Sequence, residues 1–245
     1  MENPIVITPY LNSEDAVKVF ERYDLLSAPV VDERNKLVGR ITVDSVIDFS
    51  RRKADEEALK RAGLQGEEDI FASVWASARN RWFWLGVNLI TAFLASRVIG
   101  LFENTIGRLV SLAALMPIVA SIGGNTGNQT VALIVRGLAL DHITKSNLLY
   151  LLLKELRVSL LNGLVWGGFM GILTMILYAN PSLGLVMGVA MLLNLIVAAL
   201  IGVLVPLVLE RFNYDPAQGS SVLLTFTTDS MGFLIFLGLA SAFLF

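Results

Sequence analysis

TFTTDSMGFLIFLGLASAFLF, residues 225–245, decides the fold. Apart from Asp229 the run is apolar, small or hydroxylic, and it meets the ~20 residues that a helix needs to cross a bilayer. A carboxylate at the centre of such a span costs roughly 2.5 to 3.5 kcal/mol on insertion scales, and normally faces a protein interior or a watery path. Something polar or positive is therefore expected to meet Asp229.

The rest of the chain agrees with a membrane reading. Of 245 residues, 55% are hydrophobic and only 16% charged, and the mean hydropathy of +0.66 lies well above that of a soluble domain. The excess is uneven, because residues 1–80 carry most of the charge and residues 81–245 the long apolar runs. One soluble part and one embedded part are expected. A net charge of −2 offers no basic surface for nucleic acid. The absence of cysteine excludes disulfides and thiolate metal sites, and MENPIVITPYLNSEDAV lacks the pattern of a signal peptide, so the N-terminal part is expected in the cytosol.

Five hydrophobic segments follow residue 81, at about 82–102, 108–139, 158–179, 183–209 and 218–244. Five spans place the termini on opposite sides, and the distribution of Arg and Lys puts the N-terminus in the cytosol. Residues 4–49 read as a small α/β unit. PIVI is extended, Ser13 caps a helix with Ala16, Val17, Val19, Phe20 and Tyr23 on its apolar face, and APVVD and LVGRITV flank a turn at Glu33 to Lys36. About 50 residues bury little surface, so this unit is expected to pack on a copy of itself or another partner. Residues 51–80 read as a charged helix with two acidic groups, Asp55, Glu56 and Glu57, then Glu67, Glu68 and Asp69. Pairing of Glu56 with Lys60 and Glu57 with Arg61 makes an ordinary solvated helix, and a surface that senses divalent cations accounts for the same acids equally well.

Two places carry candidate chemistry. GGNTGNQ, residues 123–129, interrupts the second span with three glycines, two amides of Asn, one of Gln and a hydroxyl. Either the helix loosens there or another backbone approaches closely, and irregular backbone at membrane depth is tolerated only in protein or along a cavity. Gly123, Gly124 and Gly127 also suit helix packing, but packing leaves Asn125, Asn128 and Gln129 unexplained, which favours a polar lining. In the fifth span Asp229 follows Asp215 by fourteen residues, close to four turns, so both acids share a face ~21 Å apart along the axis. Ser221, Thr225 and Thr228 lie beside the line joining them, an arrangement suited to a cation route. Asp215 followed by a proline is equally an ordinary helix start. No nucleophile and base pair, His or Cys metal set or phosphate loop is visible, so an enzyme is disfavoured.

At PIVASIGGNTGNQT and YDPAQGSSVLLTFTTDSMGFL the chain resembles the MgtE family of magnesium channels and transporters. The likeness extends back through EEDIFASVWASARNRWFWLGVNLITAFLASRVIGLFE, and residues 4–49 look like one cystathionine-β-synthase (CBS) repeat. The resemblance implies a mainly α, polytopic protein with three parts: a single cytosolic CBS repeat (1–50), an acidic plug-like connecting helix (51–80) and a five-helix pore domain (81–245). It implies a homodimer in the plasma (inner) membrane whose second and fifth helices line a path for Mg2+, with Asp229 binding the hydrated ion and Asp215 at the cytosolic mouth. Gly123, Gly124, Asn125, Gln129, Ser221, Thr225 and Thr228 would line the wall, and the acids of the connector would bind regulatory Mg2+. The family's helical N-terminal domain and first CBS repeat have no counterpart in this sequence. Ser45 stands where nucleotide-binding repeats tend to carry an acid, which speaks against a nucleotide at the CBS repeat. The resulting expectation is a Mg2+ uptake channel gated by cytosolic Mg2+. The alternatives are a proton-coupled secondary transporter of divalent cations, and a non-conducting membrane-anchored sensor.

Overall fold

The computed structural model describes residues 4–61, 64, 71–140, 142–144 and 146–245, apart from the side chain of Gln218. The chain divides into two compact units, residues 1–71 and 72–245.

In the first unit, α1 (Ser13–Tyr23) is capped by Asn12 rather than by Ser13, the Asn12 side chain accepting from the Glu14 amide. Strands β1 (Ser27–Val31) and β2 (Leu37–Thr42) pair antiparallel. Their turn is held by Asp32, whose Oδ1 accepts from the amides of Arg34 and Lys36, while Asn35 takes the left-handed conformation that Asn tolerates. Ile7 adds a parallel bridge to Val30, as the extended PIVI run requires. A small core of Ile7, Ala16, Phe20, Ala28 and Val46 closes the unit. Val17 packs against this core, whereas Tyr23 at 53% exposure does not belong to the apolar face expected of it. Helix α2 (Val43–Arg61) runs unbroken through residue 50 into the start of the acidic connector. A Lys53–Glu14 ion pair of 2.6 Å ties α2 to α1.

The second unit is helical throughout. It comprises α3 (Val74–Gly100), α4 (Glu103–Arg108), α5 (Ser111–Ala139), α6 (Leu148–Asn162), a π-helical turn at Gly163–Gly167 that continues into α7 (Gly168–Tyr178), α8 (Pro181–Arg211) and α9 (Pro216–Phe243). Among the described residues four stretches are long and apolar enough to cross a membrane: Val74–Gly100, Leu148–Tyr178, Pro181–Arg211 and Gly219–Phe243. The remaining expected span, α5, is long enough but does not reach the same hydropathy, because the Gly123 to Gln129 run dilutes its middle. That run does not loosen the helix: α5 is continuous α-helix across residues 123–129, with Pro117 accommodated inside it.

Helix α8 is central and packs on α5, α6, α7 and α9. It carries buried residues along its length, as expected of a helix apolar all round. Leu112, Leu115, Met116 and Val119 of α5 meet Met187, Ala190 and Met191 of α8 and Phe236, Leu237 and Ala240 of α9 in one cluster. On the other flank the backbones of α7 and α8 nearly touch. A Cβ at Gly171 would lie 2.8 Å from the Gly184 carbonyl oxygen, and one at Gly188 2.9 Å from that of Gly167. Small residues at four-residue spacing permit such an approach where no water drives association. Outside this bundle α3 rests on α9 and presents Leu85, Leu89, Ile90 and Phe93 outward, each at least 60% exposed, a surface suited to lipid.

Candidate functional site

Helices α5 and α9 pack side by side, and the contacts of their residues fix the register. The Ser221 hydroxyl donates to Asn128 Oδ1 at 3.2 Å. A Cβ at Gly127 would lie 2.5 Å from Leu224 Cδ1, and one at Gly124 would lie 3.8 Å from the Thr228 hydroxyl. Residue numbers fall along α5 as they rise along α9, so the helices are antiparallel at this seam. Glycine is thus required at 127 because Leu224 fills the space a side chain would use.

The polar residues divide by face. Asn125, Asn128, Gln129 and Thr225 are exposed, and Ser221 and Asp229 are partly buried. On α9, Ser221, Thr225 and Asp229 follow at four-residue spacing, which lines them up along one side of the helix. These six side chains form one polar strip on the outside of the bundle. Thr228 and Gly123, expected along the wall, lie elsewhere: Thr228 is fully buried with its hydroxyl donating to the carbonyls of Leu224 and Thr225, and Gly123 is buried in the seam. Gly124 lies between these situations, partly buried and facing Thr228.

Asp229 is the fourteenth of the 28 residues of α9, the middle of the helix. Its carboxylate has no hydrogen bond or ion pair among the described residues. The neighbouring hydroxyls are arranged as acceptors. Thr225 donates its proton to the Ser221 carbonyl at 2.9 Å, so the free lone pairs of its oxygen point away from the helix. Carboxylate, hydroxyl and amide oxygens on one strip are what a hard cation or the water around it requires.

Asp215 is the N-cap of α9. Its side chain accepts from the Ala217 amide at 2.9 Å and Pro216 occupies the first turn. This is the ordinary structural use of an acid before proline. Asp55, Glu56 and Glu57 lie on α2, whereas Glu67, Glu68 and Asp69 fall outside the described residues. No group of three or more His, Cys, Asp or Glu side chains that could hold a metal ion occurs among the described residues. At Ser45 the hydroxyl lies 3.4 Å from that of Thr42, with no acid in its place.

Among the buried polar residues that escaped the sequence reading, Glu155 and Asn194 stand out. Glu155 of α6 is 5% exposed and accepts from the Thr130 hydroxyl of α5 at 3.1 Å, with Lys154 Nζ 3.4 Å from its other oxygen. Asn194 of α8 is fully buried and its amide donates to the Val119 carbonyl at 2.9 Å. Asn194 had a readable signal, since between Gly184 and Leu209 it is the only residue with a polar side chain. Glu155 sits beside Lys154 and Arg157 and so reads as an interfacial charge.

Comparison with known proteins gives a consistent set. The family model MgtE, divalent cation transporter, matches residues 116–239, and a CBS domain model matches residues 1–52. The chain is 34% identical over 233 residues to a magnesium transporter MgtE of Bacillus subtilis, covering 95% of this chain and 52% of that protein. It is 32% identical over 234 residues to a protein of the same description from Thermus thermophilus, covering 94% of this chain and 51% of the relative. A third, from Enterococcus faecalis, is 32% identical over 235 residues with 95% and 51% covered. The chain therefore spans about half the length of the curated relatives it matches.

Proposed function

The chain belongs to the MgtE family of divalent cation transporters, and from that membership and the polar strip we propose that it conducts Mg2+ across the membrane along the α5–α9 face. The observation that carries the proposal is Asp229 in mid-helix, without a hydrogen bond or ion pair among the described residues, on a strip of outward-facing polar side chains. Such a strip cannot face hydrocarbon without a penalty of several kcal/mol, so it has to be covered by protein or bathed by water. A second copy of the chain meeting the first along this face would do both. It would bring two Asp229 carboxylates to one axis and match the charge of a divalent cation.

Mg2+ sheds its waters reluctantly and is commonly held by one or two carboxylates with several waters retained. Two Asp229 side chains and the surrounding acceptor oxygens fit an ion that passes with its hydration shell. Asp215 attracts cations at the mouth of the path, and α5 crosses the membrane as the fifth span with its polar side turned to that path. With the N-terminus in the cytosol of a plasma (inner) membrane, inward movement of two charges at 100 mV is favoured by about 4.6 kcal/mol. The potential alone then drives uptake. Asp55, Glu56 and Glu57 are the described candidates for sensing cytosolic Mg2+ and closing the path.

The test is Mg2+ entry into proteoliposomes that contain a fluorescent Mg2+ indicator under a clamped K+ diffusion potential. Wild type is expected to admit Mg2+ with the potential, and Asp229→Asn to lose most of that entry. Entry that continues unchanged in Asp229→Asn refutes the assignment. Entry only under an opposing proton gradient identifies a coupled transporter, and no entry under either condition identifies a non-conducting sensor.

A further inference from the structure

Three residues beyond Asp229 on α9, Gly232 packs against Asn194 of α8. The asparagine has no exposure to solvent. Its Nδ2 donates to the carbonyl of Val119 on α5, which fixes the orientation of the amide because only the nitrogen can donate. Its Oδ1 has no hydrogen-bond partner among the described residues. A leucine would fill similar space without a stranded acceptor, so the amide is retained against a standing penalty.

The amide sits in a notch cut into both helices of the strip. A Cβ added to Gly123 of α5 would overlap the Asn194 amide nitrogen, and one added to Gly232 of α9 would lie 2.8 Å from it. Glycine at these two positions is therefore explained by Asn194. Both lie at the level of the carboxylate: Gly232 follows Asp229 by less than one turn, and Gly124, next to Gly123, faces Thr228, the residue before Asp229. Asn194, Asp229 and the two glycines thus occupy one layer of the bundle.

We propose that Asn194 is a positioning residue for ion selection, a wedge from α8 that sets the separation of α5 and α9 at the level of Asp229. The inference rests on the conduction reading, since it is the width of that conducting face which the wedge controls. A hydrated ion touching the strip through water is sensitive to that width by the length of a hydrogen bond. Close-packed helices also transmit a change of one methyl group.

The experiment uses the full chain in proteoliposomes, comparing wild type, N194A, G123A and the double variant G123A/N194A, with Mg2+ and Ca2+ entry each normalised to the monodisperse folded fraction. G123A places a methyl on the wedge and is expected to reduce Mg2+ entry about tenfold, while N194A is expected to shift the Mg2+ to Ca2+ entry ratio by a similar factor, the change that ~1.4 kcal/mol of differential interaction produces. The double variant removes the amide that the new methyl strikes, so Mg2+ entry is expected to return to within about threefold of N194A alone, a coupling of the size seen for contacting residues. G232A provides the same test from α9 where G123A yields no folded protein. Wild-type entry accompanied by an unchanged ion ratio in N194A, or by a double variant no better than G123A, overturns the inference and leaves the conduction reading standing. No entry in wild type overturns both.

Discussion

The Glu155–Thr130 pair tests the packing of α5 most directly, because the expected loss in the double variant is smaller than the sum of the losses in its two single variants. The carboxylate is 5% exposed and the threonine 3%, and their bond is 3.1 Å. Thr130→Val conserves shape and removes one partner of a buried charge. Lys154, with a side chain 51% exposed, remains at 3.4 Å and compensates in part. A bond to a charged group contributes about 1.5 to 3 kcal/mol in soluble proteins, and hydrogen bonds between membrane helices average nearer 0.6 kcal/mol. A loss of about 1 to 2 kcal/mol is expected for Thr130→Val. Glu155→Leu should be milder, because the orphaned threonine hydroxyl can turn to a carbonyl one turn earlier in its own helix. The double variant replaces both polar groups with apolar ones and is expected within about 1 kcal/mol of wild type. Reversible unfolding in mixed micelles measures all three. Strict additivity of the two losses would refute the argument, since it would mean that the pair does not act as a unit.

Two further expectations concern packing and the strip. Gly168→Ala meets nothing within 4 Å, whereas Gly171→Ala meets the Gly184 carbonyl oxygen at 2.8 Å. The first should gain about 0.5 to 1 kcal/mol in helix propensity, and the second should lose about 1 to 3 kcal/mol by overpacking, so thermal midpoints of the purified variants should move in opposite directions. Thr225→Val removes an outward-facing acceptor from the strip without changing side-chain shape. Loss of one hydrogen bond of about 1 kcal/mol to the ion's water shell predicts a roughly fivefold fall in Mg2+ entry, measured in the proteoliposome assay with the thermal midpoint unchanged to within a degree or two.

Much of the architecture was legible in hydropathy and in the punctuation between spans. The turns at Tyr178 to Pro181 and Phe212 to Pro216 fall where the apolar runs stop, and the bounds of α8 and α9 lie within two residues of those expected. The third span starts earlier than expected, at Leu148, because Lys154, Glu155 and Arg157 lower the local hydropathy while leaving the helix intact. For the polar run of α5 the sequence allows a loosened helix or the close approach of another backbone, and the helix is continuous with α8 close against it, a Cβ at Gly202 lying 3.0 Å from the Gly127 carbonyl oxygen. Glycine and asparagine disfavour a helix in water, but in a bundle where Leu224 and Asn194 occupy the glycine notches, packing outweighs propensity. The same contacts decide which face Thr228 takes. Helical spacing alone left it beside Asp229, and only the position of Gly124 shows that it turns inward.

The chemistry of the strip follows from how its hydroxyls are used. Of the six side chains of the strip only Asp229 is a carboxylate, and no three-residue metal cluster exists among the described residues. A site that stripped the ion would have to replace several waters at once with protein oxygens held near octahedral geometry, and one carboxylate per chain with scattered amides cannot supply them. Oxygens whose own protons are committed to backbone carbonyls, as at Thr225, instead accept from the outward-pointing protons of a water shell. On the proposed conduction path, selection would then depend on the spacing between the strip and that shell rather than on a ring of ligands. Along that path, Asn194 and the glycines beside it would act on that spacing without touching the ion.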